Sequence, residues 1–256
     1  MCSSGWIIFG LAMAAALLLV VMPKYSQPAE AAEALTMLTK NGETLRITPL
    51  GHGTLMVEYA GQVIHIDPYS DVADYSRLPK ADQIWITHEH GDHLDLKAIR
   101  LIEKENTVFV INQASASSLS GRKTIVLKNG DKTTVNGVEI SAVPAYNIKR
   151  ERSPGVKYHP KGNGNGNGYV ADLGGYRLYV AGDTEDIPEM ADLKDIDMAF
   201  LPCNLPYTMT PEETAQAAAK FKPKTLVPYH QGQSDISQIA RLLEGSGIEV
   251  VVLPLP

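Results

Sequence analysis

Three imidazoles and one carboxylate fall within six consecutive positions, His88-Glu-His90-Gly-Asp92-His93. Imidazole and carboxylate are ligands for borderline divalent cations, and imidazole needs no deprotonation above its pKa of about 6.5. The 256-residue chain has only seven histidines, so a polar loop with chance histidines explains this cluster poorly. The cluster follows QIWIT (83–87), an apolar run with the composition of a β-strand. A loop bending straight after such a strand can turn His88 and His90 towards one centre and Asp92 and His93 towards another. Gly91 supplies the freedom for that bend.

Composition narrows the alternatives. Lys and Arg number 23 against 29 Asp and Glu, a formal charge of 23 − 29 = −6. No basic block interrupts that balance, so a nucleic-acid binder with a cationic face is not expected. The two cysteines, Cys2 and Cys203, exclude a disulfide framework and a cysteine-based zinc site. Any metal must be held by histidines and carboxylates. No G-x-S-x-G elbow, Walker A loop or G-x-G-x-x-G loop is present.

The elements that must position the histidines are mostly strands. LRITPL, TLMVEY and QVIHID precede the cluster, and a helix is expected over 95–105 with Leu96, Ile99 and Ile102 on one side. TVFVI, KTIVL, TTVNG and VEISAV follow, then GYVADL, YRLYVAGD and DMAFLP. Thr210-Pro211-Glu212-Glu213 places an N-cap, a first-turn proline and an N3 glutamate at a second helix start. Strand TLVPYH, helix DISQIARLLE and strand EVVVLP close the chain. A β-rich core covered by helices fits this order. The low-complexity stretch KGNGNGNG (161–168) reads first as a flexible hairpin tip and second as a flap over a site.

Residues 1–34 read as an address in front of a single domain, 35–256. The run WIIFGLAMAAALLLVVM (6–22) carries no charge, and Ala29-Glu-Ala31 and Ala32-Glu-Ala34 offer small-residue cleavage spacing. The alternative is an uncleaved membrane anchor, since MCSSG has no basic residue. Either way an exported location, periplasmic or extracellular, is expected.

The segment THEHGDHLD resembles the H-x-H-x-D-H motif of the metallo-β-lactamase superfamily. GHGTLMVEYAGQVIHIDPY, YVAGDTEDIPEM and TLVPYHQG resemble its opening strands, its aspartate element and its late histidine strand, together spanning roughly 44–232. The nearest branch is that of lactonase-like and uncharacterised metal-dependent hydrolases. The resemblance implies an α+β fold, a four-layer αββα sandwich in one domain. It also implies a metal-dependent hydrolase with two divalent cations, zinc first, with manganese and iron as alternatives. His88 and His90 would hold one metal, Asp92 and His93 the other, with Asp183 bridging and His230 completing the second site. Asp92 would also orient the nucleophile or move its proton.

The sequence departs from the family pattern after VEISAV, where a histidine is usual and Tyr146-Asn147 stands instead. His159 is the candidate left by elimination, with substrate contact as its other reading. Asn147 is a weaker oxygen donor that could contribute. His52 is expected either beside the pocket or at a strand end without a role. His65 reads as a structural or an exposed position, Cys203 as a buried small apolar residue, and Asp67 as an anchor of the ligand loop. The expected substrate is a small molecule, an ester, lactone or phosphodiester attacked by metal-activated hydroxide. A non-catalytic binding module with a degraded metal site is the alternative, and Tyr146-Asn147 is its only support.

Overall fold

The structure is a computed structural model that describes residues 1, 33–162, 164–253 and 255. The expected address segment lies, over residues 2–32, outside the described residues. Among the described residues no helix is long and apolar enough to cross a membrane.

Two seven-stranded sheets carry the fold. The first takes β1 (Leu35–Leu38), β2 (Thr44–Gly51), β3 (Thr54–Tyr59), β4 (Gln62–Ile66), β5 (Gln83–Ile86), β6 (Val108–Ile111) and β7 (Lys123–Val126) in chain order. Its first four strands form an antiparallel meander, and β5 to β7 add in parallel. Helix α1 (Leu96–Ile102) joins β5 to β6. The second sheet starts with β8 (Lys132–Val135) and β9 (Val138–Pro144). A small hairpin, β10 (Glu151–Ser153) with β11 (Val156–Lys157), then leaves the sheet. The sheet resumes with β12 (Asn167–Leu173), β13 (Tyr176–Val180), β14 (Met198–Pro202), β15 (Thr225–Tyr229) and β16 (Glu249–Val250). Here too antiparallel pairs come first, and β13 to β16 run parallel. Helix α2 (Pro211–Phe221) lies between β14 and β15, and α3 (Ser237–Leu242) between β15 and β16.

Alternation along the strands explains the layers. In β5, Trp85 enters the core between the sheets, whereas Ile84 and Ile86 face the outer side, where Ala98, Ile99 and Ile102 of α1 pack. A strand buried on both faces reads as one continuous apolar run. Tyr169, Phe200 and Tyr229 meet Trp85 and Ile64 in the inter-sheet core. On the far side, Ala215, Ala218 and Phe221 of α2 cover Tyr179 and Leu226. Each such buried Leu, Ile or Phe contributes about 1.5–3 kcal/mol. The result is helix, sheet, sheet, helix, the α+β sandwich expected from the motifs.

Local signals held at α2, where Thr210 and Glu213 form a reciprocal capping box and Pro211 opens the first turn. Helix α1 is shorter than 95–105, because Asp95 caps it by accepting from Lys97 N–H and the chain turns extended at Glu103. The KGNGNGNG stretch is not a free hairpin tip. Asn112 donates its side-chain amide to the carbonyl oxygens of Gly164 and Asn165. A Cβ at Gly166 would sit 2.4 Å from the Ala145 carbonyl oxygen, so close backbone approach requires glycine there. Strand β1 and the β10–β11 hairpin had no counterpart in the sequence reading.

Candidate metal centre

The C-terminal ends of β5, β13 and β15 deliver the chemistry. His88 follows β5, Asp183 follows β13, and His230 follows β15. Side chains at the carboxyl ends of parallel strands converge in a crevice outside the sheet. The β2–β3 turn brings His52 to the same edge, where the His52 carbonyl accepts from His230 N–H at 2.9 Å. The segment after β11 brings His159, whose carbonyl accepts from Asn147 N–H at 2.7 Å. His52, Asp67 and His230 all sit at positive φ, of 50°, 47° and 45°. Backbone of that kind costs about 1–3 kcal/mol per residue and concentrates at functional sites.

Two groups of donors result. His88 Nε2 lies 3.2 Å from His90 Nδ1, and His159 Nε2 lies 3.3 Å from the same atom. In the second group, His230 Nε2 lies 3.2 Å from His93 Nε2, and Asp92 Oδ2 lies 3.7 and 3.8 Å from those nitrogens. Asp183 stands between the groups. Its Oδ2 is 3.4 Å from His159 Nε2, and its Oδ1 is 3.4 and 3.5 Å from His230 and His93 Nε2. Four ligands about 2.0–2.1 Å from a tetrahedral cation stand about 3.3 Å from one another. The spacings among the histidines and Asp183 lie near that edge length, and those of Asp92 are longer. Asp183 Oδ1 is buried yet has no hydrogen-bond partner, the state of an acceptor that faces a cation.

Outer partners set which nitrogen of each ring faces inwards. His93 Nδ1–H donates to Asp67 Oδ2 at 2.8 Å, and Asp67 also accepts from Thr87 N–H at 2.8 Å and Thr87 Oγ1–H at 2.6 Å. The Thr87 hydroxyl lies 3.0 Å from His88 Nδ1, placed to accept its proton. His159 Nδ1–H and its backbone N–H both donate to Asn147 Oδ1 at 2.8 Å. The acceptors beside His88, His93 and His159 hold a proton on Nδ1 and so leave the opposite nitrogen's lone pair for a metal. At His230 the partner is a donor instead, the Asn204 side-chain N–H₂, 3.2 Å from His230 Nδ1.

Electrostatics agree with this arrangement. Burial lowers the pKa of His88 far below its ordinary value and pulls His159 down to about 4, so both rings stay neutral. Burial alone would lower His93 as well, but the carboxylates of Asp183, Asp67 and Asp92 outweigh it and push His93 up to about 9. Burial works against the Asp183 carboxylate, and the imidazoles of His230, His93 and His159 overcome it and hold that group ionised. A proton on His93 thus balances carboxylates that a divalent cation would balance instead.

Every histidine and aspartate singled out around the motif, His88, His90, Asp92, His93, His159, Asp183 and His230, meets in this cluster. Asn147 does not donate into it, because its oxygen is occupied by His159. An imidazole, that of His159, thus stands beside His88 and His90 although Tyr146-Asn147 follows β9. His65 is buried, with Nε2 3.1 Å from the Pro79 carbonyl, so its exposed reading is corrected, and Cys203 is buried as expected. The reading of His52 as a strand-end residue without a role is corrected. Its Nε2–H donates to Asp92 Oδ2 at 2.9 Å, and its ring centroid lies 3.7 Å from that of His230. Its neighbour Gly53 was the available signal. A Cβ there would lie 2.9 Å from His93 Cε1 and 3.1 Å from His230 Cδ2. Gly53→Ala is expected to displace both rings, costing about 1–3 kcal/mol of stability and weakening metal retention. Denaturant titration and metal content after gel filtration would check this, and wild-type values for both would refute it.

Comparison with known proteins points to one family. A model of the β-lactamase superfamily domain matches residues 46–230. A UPF0173 metal-dependent hydrolase of Thermococcus kodakarensis is 32% identical over 226 residues, covering 82% of this chain and 96% of that protein. A crystal structure from Parabacteroides distasonis, provisionally described as a metal-dependent hydrolase, is 49% identical with a TM-score of 0.82, covering 88% of this chain and all (100%) of that one. Igni18, a metallo hydrolase from Ignicoccus hospitalis, is 25% identical with a TM-score of 0.67, over 81% of this chain and 94% of its own. With strands, cluster and relatives in agreement, the chain belongs to the metallo-β-lactamase superfamily, among its metal-dependent hydrolases.

Proposed function

We propose that the chain hydrolyses a small ester, lactone or phosphodiester with two divalent cations held in this cluster. His88, His90 and His159 would hold the first, and Asp92, His93 and His230 the second, with Asp183 shared. Zinc suits this His/Asp donor set best, and manganese or iron is the alternative. The single observation that carries the reading is Asp183, whose two oxygens face the two donor groups while one of them, buried, meets no hydrogen-bond donor. Bound divalent cations supply Lewis-acid polarisation of a substrate oxygen and lower the pKa of water towards about 7.

The protein's own residues supply position and proton handling. Asp92 is the most open of the cluster's carboxylates, with 36% of its side chain accessible against 4% for Asp183. One of its oxygens is held by His52, which aims the carboxylate while keeping it beside the crevice. Asp92 can therefore orient an attacking water or accept its proton. The crevice encloses about 460 Å³ and is lined by His90, Asp92, Asp183, Tyr158, Tyr207 and Arg152, among others. Small-molecule sites commonly enclose about 300–1,000 Å³.

Metal content of the purified full-length chain, measured by mass spectrometry, tests the reading. About two metals per chain are expected, falling to about one in His159→Ala. A wild-type chain that holds one or none after exposure to zinc, manganese and iron would overturn the two-metal reading. Unchanged metal content in His159→Ala would remove that residue from the first site. A lactone and phosphodiester screen then separates the substrate classes.

A further inference from the structure

His90 differs from the other rings of the cluster. It faces the neighbouring imidazoles through Nδ1, so its Nε2 points outwards, where Arg152 Nη2 lies 3.5 Å away. A neutral imidazole carries one proton. Where Nδ1 offers its lone pair to a cation, the proton sits on Nε2. Guanidinium has donors only. Two donors then face each other at the rim of the crevice, and neither can satisfy the other. A shared acceptor with negative charge satisfies both.

Arg152 is also the unspent cation of its segment. Lys149 and Arg150 pair with Glu213, Lys157 with Glu151, and Lys161 with Glu189. Among the described residues, Arg152 has no carboxylate partner at that distance. Its hairpin is nonetheless firmly mounted. The buried carboxylate of Glu185, two residues beyond Asp183, accepts the backbone N–H groups of Ile148, Lys149 and Arg150 at 2.9, 2.7 and 2.7 Å. The same turn that presents Asp183 thus places the hairpin that carries Arg152. Tyr158 and Tyr207, with ring centroids 5.0 Å apart and edge to face, wall the crevice beside it.

We propose that Arg152 and the outer edge of His90 form a subsite for an anionic group of the substrate, a carboxylate or phosphate carried beside the scissile bond. The proposal rests on the metal-centre reading above, because cation binding sets the tautomer of His90. Charge balance favours it. Two divalent cations against Asp67, Asp92 and Asp183 leave 4 − 3 = +1, and Arg152 adds to this in a chain of net charge −6. The anion is therefore recognised at the rim and not by the surface as a whole.

The test compares ligands that share the butyrate chain and differ in what its far end carries, on the metal-loaded full-length chain. Calorimetric Kd values are measured for butyrate, glutarate and 4-phosphonobutyrate, with wild type, Arg152→Ala and Arg152→Lys. The second anionic group is expected to tighten wild-type binding at least about 10-fold, the size of a charge-assisted contact. In Arg152→Ala that gain should vanish while the butyrate Kd stays within about twofold, and Arg152→Lys should restore part of it. A larger gain for the phosphonate would assign the subsite to phosphate, and a larger gain for glutarate to carboxylate. No gain in wild type, or a gain that survives Arg152→Ala, overturns the proposal. Metal content is read on the same samples. Two metals without the gain count against the subsite alone. Fewer than two metals with an Arg152-dependent gain count against the metal reading alone.

Discussion

Asp183→Asn is expected to yield a folded chain that retains fewer than two metals and turns over at least about 100-fold more slowly. Changes to the outer partners of metal ligands already cost 10–100-fold, and a ligand shared by two cations should exceed that. Asparagine has the same shape but only one oxygen, so it can face one donor group and presents an N–H₂ to the other. The fold should survive because Asp183 Oδ1 takes no hydrogen bond from the protein, so no donor is orphaned on that side. Metals per chain, circular dichroism and turnover of whichever substrate emerges from the screen are the measurements. A variant holding two metals at wild-type affinity would remove Asp183 from the bridging position.

The second large effect is expected at Asp67→Asn, a residue that touches no metal-facing atom. Asp67 is fully buried and holds three donors, Thr87 N–H, Thr87 Oγ1–H and His93 Nδ1–H. Asparagine tolerates the left-handed backbone at this position, with φ 47°, so the change isolates the carboxylate's role. One donor is left facing an N–H₂, at a cost of about 1–3 kcal/mol. Losing the carboxylate behind His93 should weaken metal affinity about 10–100-fold. Chelator competition reads the affinity and denaturant titration the stability. Wild-type metal affinity alongside the stability loss would show that Asp67 serves the fold and not the centre.

The contrast between these two aspartates shows how far local patterns reach. Asp183 was legible as a candidate because it closes a strand-like run in the order the motifs require. Asp67 was legible as an anchor for the same reason, though not its three partners. His52 could not be resolved. A Gly-His-Gly-Thr turn reads equally well as a strand end or a pocket wall, and only the register of β2 with β3 decides which edge it joins. The Gly/Asn run was misread because composition registers freedom, whereas Gly164 and Gly166 are needed for close packing against Gln113 and Ala145. The β10–β11 hairpin, three residues against two, is too short to produce a periodic signal.

The sequence by itself determined the donor types in the cluster, the fold class and the local geometry of the motif. Those depend on side-chain chemistry and on spacings of a few residues, which a strand and its following loop convert directly into positions. Tertiary structure alone decided that His159 and not Asn147 faces His88 and His90, that His52 holds Asp92, and that Arg152 stands at the outer edge of His90. These pairs lie 40 to 71 residues apart in the chain. Their approach is set by how two sheets stack and by the buried Glu185 that mounts the hairpin. No short-range pattern encodes such contacts, because the free energy that enforces them comes from the shared core and not from the residues that meet.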